Sequence, residues 1–259
     1  MTAAPMNTDH TVGTLAWLRR TEGRLSLKER LGLMQAALAP ALGDLVRGRW
    51  AAALPGAPSG LSALQASLPD TPAVGRALQA MAATGRTDLL QHGWRTHAWG
   101  WAFGVAEGHA PDVELLLVAS LLHDLGVAEP AGHLASGCQC FTGHSAAVAM
   151  RTAQACGWST ERTEAVGQAI TLHMNGAVPL AQGLEAHLLV RGAACDVTGA
   201  RLAQLPARYR AEVLQAHPRG EFDARFAAFL AAERRRQPDT RAALLAQLGV
   251  GWMIRFNPF

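Results

Sequence analysis

The chain has 259 residues, of which 49% are hydrophobic and 17% are charged, and its formal net charge is +3. This is a globular composition with enough apolar material for the core of one large domain, or of one domain with helical extensions. It does not favour a nucleic-acid-binding protein, because the one dense basic run is three arginines at 234–236, without a broad basic stripe or a known binding module.

Two further features concern the location of the protein. The N-terminus lacks the charged start and apolar run of a signal peptide, and no apolar stretch reaches the roughly 18 residues of a membrane span. None of the cysteines (Cys138, Cys140, Cys156 and Cys195) lies in a C-x-x-C motif. We therefore predict a cytoplasmic protein with mostly free thiols that binds neither membranes nor nucleic acid. The sequence leaves the oligomeric state open, a homo-oligomer included.

Helix-forming residues dominate the chain and runs of alternating β-branched residues are missing, which predicts an all-α fold. In chain order, Ser26 and Glu29 form a capping-box motif that opens a helix to about Trp50, and a breaker follows at 55–60. A loop is predicted at 126–142, and the aromatic C-terminal tail is predicted to be irregular. The other helices are predicted near 71–84, 89–107, 112–125, 143–155, 160–173, 183–198, 206–215, 222–236 and 239–248.

These helices fall into three predicted regions. Residues 1–84 form an N-terminal helical extension, and residues 85–200 form a central region that holds nearly all the histidines of interest. Residues 201–259 supply C-terminal helices that pack on this centre.

One apolar stretch, LLLVASLLHDLGV at 115–127, ends in the adjacent pair His123 and Asp124. Burying an unpaired charge costs several kcal/mol, so this pair needs a partner, and a bound metal ion is the leading candidate. At a helix end the chain can bend, so that both side chains reach one ion, and the helix dipole favours a cation there. The alternative is a buried histidine and aspartate held by hydrogen bonds without metal.

The preceding helix offers two histidines. His92, Arg95 and Trp99 share one face, whereas His97 lies about 140° round the helix from His92. Because helices joined by a short break usually pack antiparallel, His92 is expected near His123 and is the better candidate ligand. His97 is expected to be an interhelical or surface histidine.

Two later segments complete the candidate set. His173 ends another apolar helix in AITLHMNG, and Asp196 lies in the small-residue stretch RGAACDVTG. A lone aspartate in such a stretch needs a buried partner for the same reason as Asp124, unless it caps the next segment.

Together these residues resemble the HD-domain metalloproteins: a histidine opening HGWRT (92–96), the HD pair about thirty residues later, and a distant aspartate. The blocks ELLLVASLLHDLG (114–126), FTGHSAAVA (141–149), AITLHMNG (169–176) and RGAACDVTG (191–199) resemble one branch in particular, the cyanamide hydratase-like HD proteins. The resemblance covers about 85–200, under half of the chain. It implies an HD-domain helical bundle, with a metal-binding core and helical extensions at both ends.

The resemblance also implies a site and an activity. One divalent metal ion would be held by His92, His123, Asp124 and Asp196, with zinc expected and iron or manganese as alternatives. Cyanamide hydratases add metal-bound water to a nitrile carbon, so a small-molecule hydrolase or hydro-lyase is expected. Asp124 would take a proton from the water. Arg95 would bind an anionic substrate or orient Asp124 or Asp196.

The chain departs from the dinuclear HD proteins, because Thr142 stands where they carry a histidine. We therefore expect a mononuclear centre in which His173 polarises the substrate or transfers a proton. His144, also a candidate catalytic residue, either lines the pocket or only starts a helix. If His144 reaches the metal region, a second ion becomes feasible and a dinuclear-iron HD oxygenase gains support.

Two other functions stay open at this point. An HD phosphohydrolase that cleaves a nucleotide monoester would need several basic side chains near the metal, and only Arg95 and Arg191 are candidates. A non-catalytic metal-binding HD protein is the third reading, because metal binding alone does not prove catalysis.

Overall fold

The computed structural model describes residues 11–35, 52–129 and 140–259. Throughout these ranges the regular structure is helical and no strand occurs, which confirms the predicted all-α helical bundle. Three short 3-10 turns cover His173–Asn175, Leu180–Gln182 and Leu202–Gln204. The α-helices are α1 (Leu15–Thr21), α2 (described over 27–35), α3 (Ser62–Ser67), α4 (Pro72–Ala83), α5 (Thr87–Ala106), α6 (Val113–Leu122), α7 (Leu125–Ala128), α8 (Phe141–Ala155), α9 (Thr160–Leu172), α10 (Leu184–Thr198), α11 (Ala207–Ala216), α12 (Phe222–Arg236), α13 (Arg241–Gln247) and α14 (Val250–Arg255).

The predicted capping box forms at the start of α2. The backbone N–H of Ser26 donates to Glu29 Oε2 at 2.8 Å, and the Glu29 N–H donates to Ser26 Oγ at 3.3 Å. The second oxygen of Glu29 accepts from the Trp17 indole at 2.7 Å, which ties this turn to α1. The predicted continuation of the helix to Trp50 lies outside the described residues.

The predictions for the loop and for the tail need correction. The predicted loop at 126–142 contains the short helix α7, and α8 begins at Phe141, while 130–139 lie outside the described residues. The tail is helical over Val250–Arg255, because Ile254 is buried and Val250, one turn earlier on the same face, packs against the core. Gly249, at φ 88°, separates this helix from α13.

Helix α5 lies at the centre and makes its most extensive contacts with α10 and α6. Two glycines permit this close packing. A Cβ at Gly93 would lie 2.8 Å from the Ser120 carbonyl oxygen on α6, and one at Gly192 on α10 would collide with the Thr96 carbonyl. Larger residues at either position would push the helices apart, so these glycines set how closely α6 and α10 approach α5.

The N- and C-terminal helices cover this centre from outside. Helix α1 packs on α9, and its Trp17 is fully buried in a small cluster with Leu25 and Leu244. Helices α12, α13 and α14 pack on one another and reach α5 and α10. Among the described helices, none combines the length and apolarity needed to cross a bilayer. The division of the chain at 84 and 200 stays a prediction.

Candidate metal centre

Three buried side chains meet where the second turn of α5 faces the end of α6. His92 Nε2 lies 3.1 Å from His123 Nε2 and 3.4 Å from Asp124 Oδ2, and His123 Nε2 lies 3.5 Å from the same oxygen. All three residues are at most 3% exposed. The predicted proximity of His92 to His123 is thus observed, and the close approach at Gly93, next to His92, makes it feasible.

The hydrogen bonds on the far side of each ring define which nitrogen faces the cluster. His92 Nδ1 lies 2.6 Å from Asp196 Oδ2, and His123 Nδ1 lies 2.7 Å from the Ser120 carbonyl oxygen. Both partners only accept hydrogen bonds, so each Nδ1 carries a proton, and when the rings are neutral each points its Nε2 lone pair at the other. Two lone pairs at 3.1 Å repel each other unless a proton or a metal ion lies between them.

The spacing of these atoms fits a metal ion. In a tetrahedral zinc site with Zn–N and Zn–O bonds near 2.0–2.1 Å, ligand atoms lie about 3.3–3.4 Å apart. The three ligand atoms of His92, His123 and Asp124 lie 3.1–3.5 Å apart. Metal-binding histidines also usually donate their second N–H to a carboxylate or a backbone carbonyl, as both do here. This group of three could therefore hold a metal ion.

Burial and the neighbouring charges shift the pKa values of all three residues. Burial opposes a charge on His92, but hydrogen bonds and charges from Asp124 and Asp196 outweigh it and raise the pKa of His92. Burial lowers the pKa of His123 to about 3. Burial also disfavours the Asp124 anion, yet the neighbouring imidazoles of His123, His173 and His92 hold the pKa of Asp124 well below its usual value. The cluster therefore presents an ionised carboxylate to a cation.

Asp196 departs from the expected role of fourth ligand. It lies behind His92, where it accepts the Nδ1 proton, and it is not in the group of three that could hold an ion. Both of its oxygens are occupied, because Arg95 donates to Oδ1 at 2.8 Å and to Oδ2 at 2.9 Å. Burial alone would raise the pKa of Asp196, but Arg95 and His92 hold it well below its usual value. In this arrangement Asp196 orients His92.

Further donors complete the surroundings of Asp196. Trp99 Nε1 donates to Oδ1 at 3.0 Å, and Arg219 Nη1 donates to the same oxygen at 3.2 Å. Arg95 also donates to the carbonyl oxygens of His217 and Pro218. These bonds occupy the Arg95 guanidinium, which leaves it poorly placed to bind an anionic substrate. The geometry therefore favours the role in which Arg95 orients Asp196.

His173 lies beside the cluster on the side of Asp124. Its Nδ1 donates to the Ile170 carbonyl at 2.6 Å, which leaves Nε2 of the neutral ring unprotonated, 3.4 Å from Asp124 Oδ1. Among the described residues, Asp124 Oδ1 has no hydrogen-bond partner although it is buried. His173 and Asp124 both line a cavity next to the cluster, where they can exchange a proton with a bound molecule.

His144 does not take part in the site. Its Nε2 lies 2.8 Å from Glu129 Oε2, and it is not among the residues that line the cavity. The expectation that His144 is catalytic is therefore not supported, because α8 begins at Phe141 and directs this side chain toward the end of α7. Thr142 is buried and accepts from Arg241 at 3.0 Å instead of facing the cluster.

The aromatic surroundings of His92 were not anticipated from the sequence. The Phe222 ring stacks on the His92 ring, with centroids 4.3 Å apart and planes 18° apart, and Phe226 stacks in turn on Phe222 at 5.2 Å. The spacing of Phe222, Phe226 and Phe229 indicates one apolar helix face, but nothing in it shows that this face packs on a histidine 130 residues earlier.

No protein-family model matches this chain, and no curated protein matches it either. The fold and the site therefore define a coarse class. The protein is an all-α helical bundle with three buried side chains, His92, His123 and Asp124, that could hold a metal ion.

Proposed function

We propose that the protein is a metal-dependent hydrolase or hydratase of the HD superfamily that acts on a small molecule, with a nitrile hydration like that of the cyanamide hydratases as the nearest analogue. The observation that carries the proposal is the triangle of ligand atoms from His92, His123 and Asp124. Its open side faces a cavity, and the sequence motifs that supply these three residues are those of the resemblance.

The residues of this chain would hold the ion and manage the protons. His92, His123 and Asp124 would bind it, with zinc expected from the nitrogen and oxygen donors and iron or manganese as alternatives. When bound, such an ion lowers the pKa of a water molecule toward ~7 and polarises the substrate. Asp196 and Arg95 would keep the His92 ring in its binding orientation.

The hydration itself needs no further reactant. Water adds across the C≡N bond: a C–O bond forms, and the two protons of the water end on nitrogen, so that a nitrile gives an amide and cyanamide gives urea. Asp124 Oδ1, which is buried and has no hydrogen-bond partner in the described ranges, is the acceptor for the first proton. His173 Nε2, 3.4 Å from that oxygen, can pass a proton on toward the nitrogen of the substrate.

The alternatives have less support from the described residues. A phosphohydrolase needs cationic side chains around the phosphate, but Arg95 bonds to Asp196 and Arg191 bonds to Glu107. A dinuclear oxygenase needs more histidines at the ion, and His144 bonds to Glu129 instead.

The test combines a metal count with substitutions in the full-length protein. Elemental analysis is expected to find one ion per chain, and Asp124→Ala is expected to lose both the ion and activity. His173→Ala should retain the ion and lose at least tenfold in kcat, because its part is proton transfer. The matched control is His109→Ala, at the break between α5 and α6, which should change neither.

Three results would contradict the proposal. They are a wild-type protein that takes up no metal, a His173→Ala variant that loses its metal, and release of phosphate from nucleotide monophosphates without any urea from cyanamide.

A further inference from the structure

The cavity next to the cluster has an unusual lining for a site that would bind nucleotides. It encloses about 130 Å³, and its polar end is formed by the cluster and His173. From that end it extends between one face of α10, the middle of α12, and the C-terminal helices α13 and α14. Its other walls are mostly apolar, and the lining residues include Val190, Ala193, Ala194, Val197, Phe226 and Leu230.

Within the part of the chain that the structure describes, none of the residues that line these walls is a lysine or an arginine. Two arginines close in sequence to lining residues form ion pairs with other groups. Arg191 forms a two-pronged ion pair with Glu107, and Arg219 pairs with Asp223 and Asp196. An anion in this cavity would have no positive side chain to replace its lost hydration, so the walls disfavour phosphate esters and other charged substrates.

The size of the cavity limits the substrate as well. An apolar cavity of about 150 Å³ in another protein accommodates benzene, which has six non-hydrogen atoms. The cavity here is slightly smaller, and its polar end must also admit the reacting group. A molecule of about six non-hydrogen atoms fills it.

The wall formed by α10 determines the size of the cavity, because it carries small side chains. On α10, the lining positions recur at the spacing of one helix face, at 190, 193, 194 and 197. At 193 and 194 this face carries alanines, and a leucine at either position would direct three more carbon atoms into the cavity.

We propose that the cavity binds an uncharged, mainly aliphatic molecule of about six non-hydrogen atoms, whose single polar group meets Asp124 and His173, and that Ala193 and Ala194 determine the chain length that fits. This rests on the proposed function only in assigning the polar group as the one that reacts. The independent observation that points to a ligand is Asp124 Oδ1, which is buried, accepts no hydrogen bond from any described residue and belongs to a side chain that lines the cavity.

The experiment measures binding of a homologous series of nitriles, from acetonitrile to pentanenitrile, to the metal-free and the zinc-loaded full-length protein by ligand-observed NMR titration. Each added methylene buried against the apolar walls should tighten binding about fourfold until the cavity is full. Butyl phosphate should bind the metal-free protein at least tenfold more weakly than pentanenitrile.

Two substitutions test the wall itself. Ala194→Leu should weaken pentanenitrile at least tenfold and leave acetonitrile unchanged, and Val190→Ala should shift the best chain length upward by about one carbon. Ala231→Leu, at an exposed position of α12 beside the lining residue Leu230, is the matched control and should change neither. Thermal unfolding of each variant verifies that it is folded.

The results separate this inference from the proposed function. Three results would overturn the inference. They are an affinity that does not change along the nitrile series, binding of butyl phosphate to the metal-free protein that is tighter than that of pentanenitrile, and an equal loss of affinity for all nitriles in Ala194→Leu. If the series behaves as expected but the zinc-loaded protein converts none of the nitriles to amides, the cavity assignment stands and the proposed hydration falls.

Discussion

At Asp196, one buried carboxylate accepts hydrogen bonds from four side chains of α5 and of the segment before α12: His92, Arg95, Trp99 and Arg219. It neutralises cationic groups that are themselves removed from water, and Arg95 is completely buried. Removing one partner of such a buried pair leaves the other uncompensated, which is far more costly than breaking an exposed pair.

We therefore expect Asp196→Asn to lower the free energy of unfolding by about 3–5 kcal/mol and to weaken metal binding by roughly 10–100-fold, because His92 loses its orienting partner. Urea unfolding and a zinc titration of the folded variant measure the two effects. Asp223→Asn is the control, since Asp223 also pairs with Arg219 but is 39% exposed, and it should cost less than about 1 kcal/mol. Equal losses in both variants would contradict the role given to Asp196.

The buried side chain of His97 leads to a second prediction about a single residue. It is fully buried, neither ring nitrogen has a hydrogen-bond partner among the described residues, and burial lowers its pKa to about 3, with the charge of His217 as a smaller cause. The unfolded chain takes up a proton near pH 6.5 and the folded chain does not until about pH 3. Stability from this group is therefore present above pH 6.5 and is lost as the pH falls below it.

His97→Leu should remove this dependence. Between pH 6 and pH 4, wild type should lose up to about 1.4 kcal/mol more per pH unit than the variant. At pH 7 the variant should be as stable as wild type or more so, because two unpartnered polar atoms are removed. Urea unfolding of both proteins at pH 7 and pH 5 measures the difference, and parallel losses on acidification would show that His97 does not titrate in this way.

Among the elements, α5 and α10 form the contact that brings Asp196 to His92. Their approach depends on Gly192, because a Cβ there would collide with the Thr96 carbonyl and lie 2.9 Å from the Gly100 nitrogen. Backbone atoms of two packed helices cannot move aside as the end of a flexible side chain can, so the helices themselves would have to separate.

Gly192→Ala is therefore expected to lower the free energy of unfolding by about 1–3 kcal/mol through overpacking, although alanine is the better helix former. Gly75→Ala in α4 is the matched control. Nothing lies within 4 Å of a Cβ built at that position, so the same substitution should stabilise the protein by about 0.5–1 kcal/mol. Denaturant unfolding is expected to show a lower free energy of unfolding for Gly192→Ala and a higher one for Gly75→Ala. A stabilised Gly192→Ala would contradict the close packing of α5 and α10.

At the level of elements, local signals predicted the fold well. The capping box of Ser26 and Glu29 and the apolar run of α6 were recognisable because both depend on residues a few positions apart. Helix α14 was not recognised, since one glycine precedes it and another lies within it, and its stability comes from burying Ile254 against distant helices. Sequence patterns report local preference, and tertiary packing overrides it at such places.

In the whole molecule, Arg241 connects parts of the chain that are far apart. Its guanidinium is 1% exposed and donates to the Thr171 carbonyl, Asn175 Oδ1 and Thr142 Oγ1, and it lies 5.2 Å from the centroid of the Trp17 ring. Among the described residues it forms no ion pair with a carboxylate. The net contribution of Arg241 to the stability of the fold therefore depends on how many buried acceptors receive a hydrogen bond from it.

Arg241→Met should lower the free energy of unfolding by about 2–4 kcal/mol, because each acceptor left without a donor costs about 1–3 kcal/mol while removal of a buried charge offsets part of the loss. Arg234→Met, at an exposed position of α12, should change it by less than about 0.5 kcal/mol. Thermal and urea unfolding measure both variants. A loss below 1 kcal/mol for Arg241→Met would show that water or neighbouring donors replace the guanidinium.

The sequence allowed us to predict which residues form the candidate site better than what each of them does there. His92, His123 and Asp124 stood out because polar residues interrupt apolar helices, and the antiparallel pairing of α5 and α6 brought His92 to His123. The role of Asp196 was less accessible, because its distance from the cluster depends on how deeply α10 packs against α5. The stacking of Phe222 and the engagement of Arg95 depend in the same way on contacts more than 100 residues apart.

The bond between His92 and Asp196 joins residues 104 positions apart, and Arg95 reaches the carbonyl of Pro218 another 22 residues on. During synthesis, His92, His123 and Asp124 leave the ribosome long before their supporting partners do. A nascent chain that stops short of about residue 220 contains the three candidate ligands but lacks the framework that holds His92 in place. Any ion that it captured early would therefore be held loosely, and firm binding would have to wait until nearly the whole polypeptide has emerged.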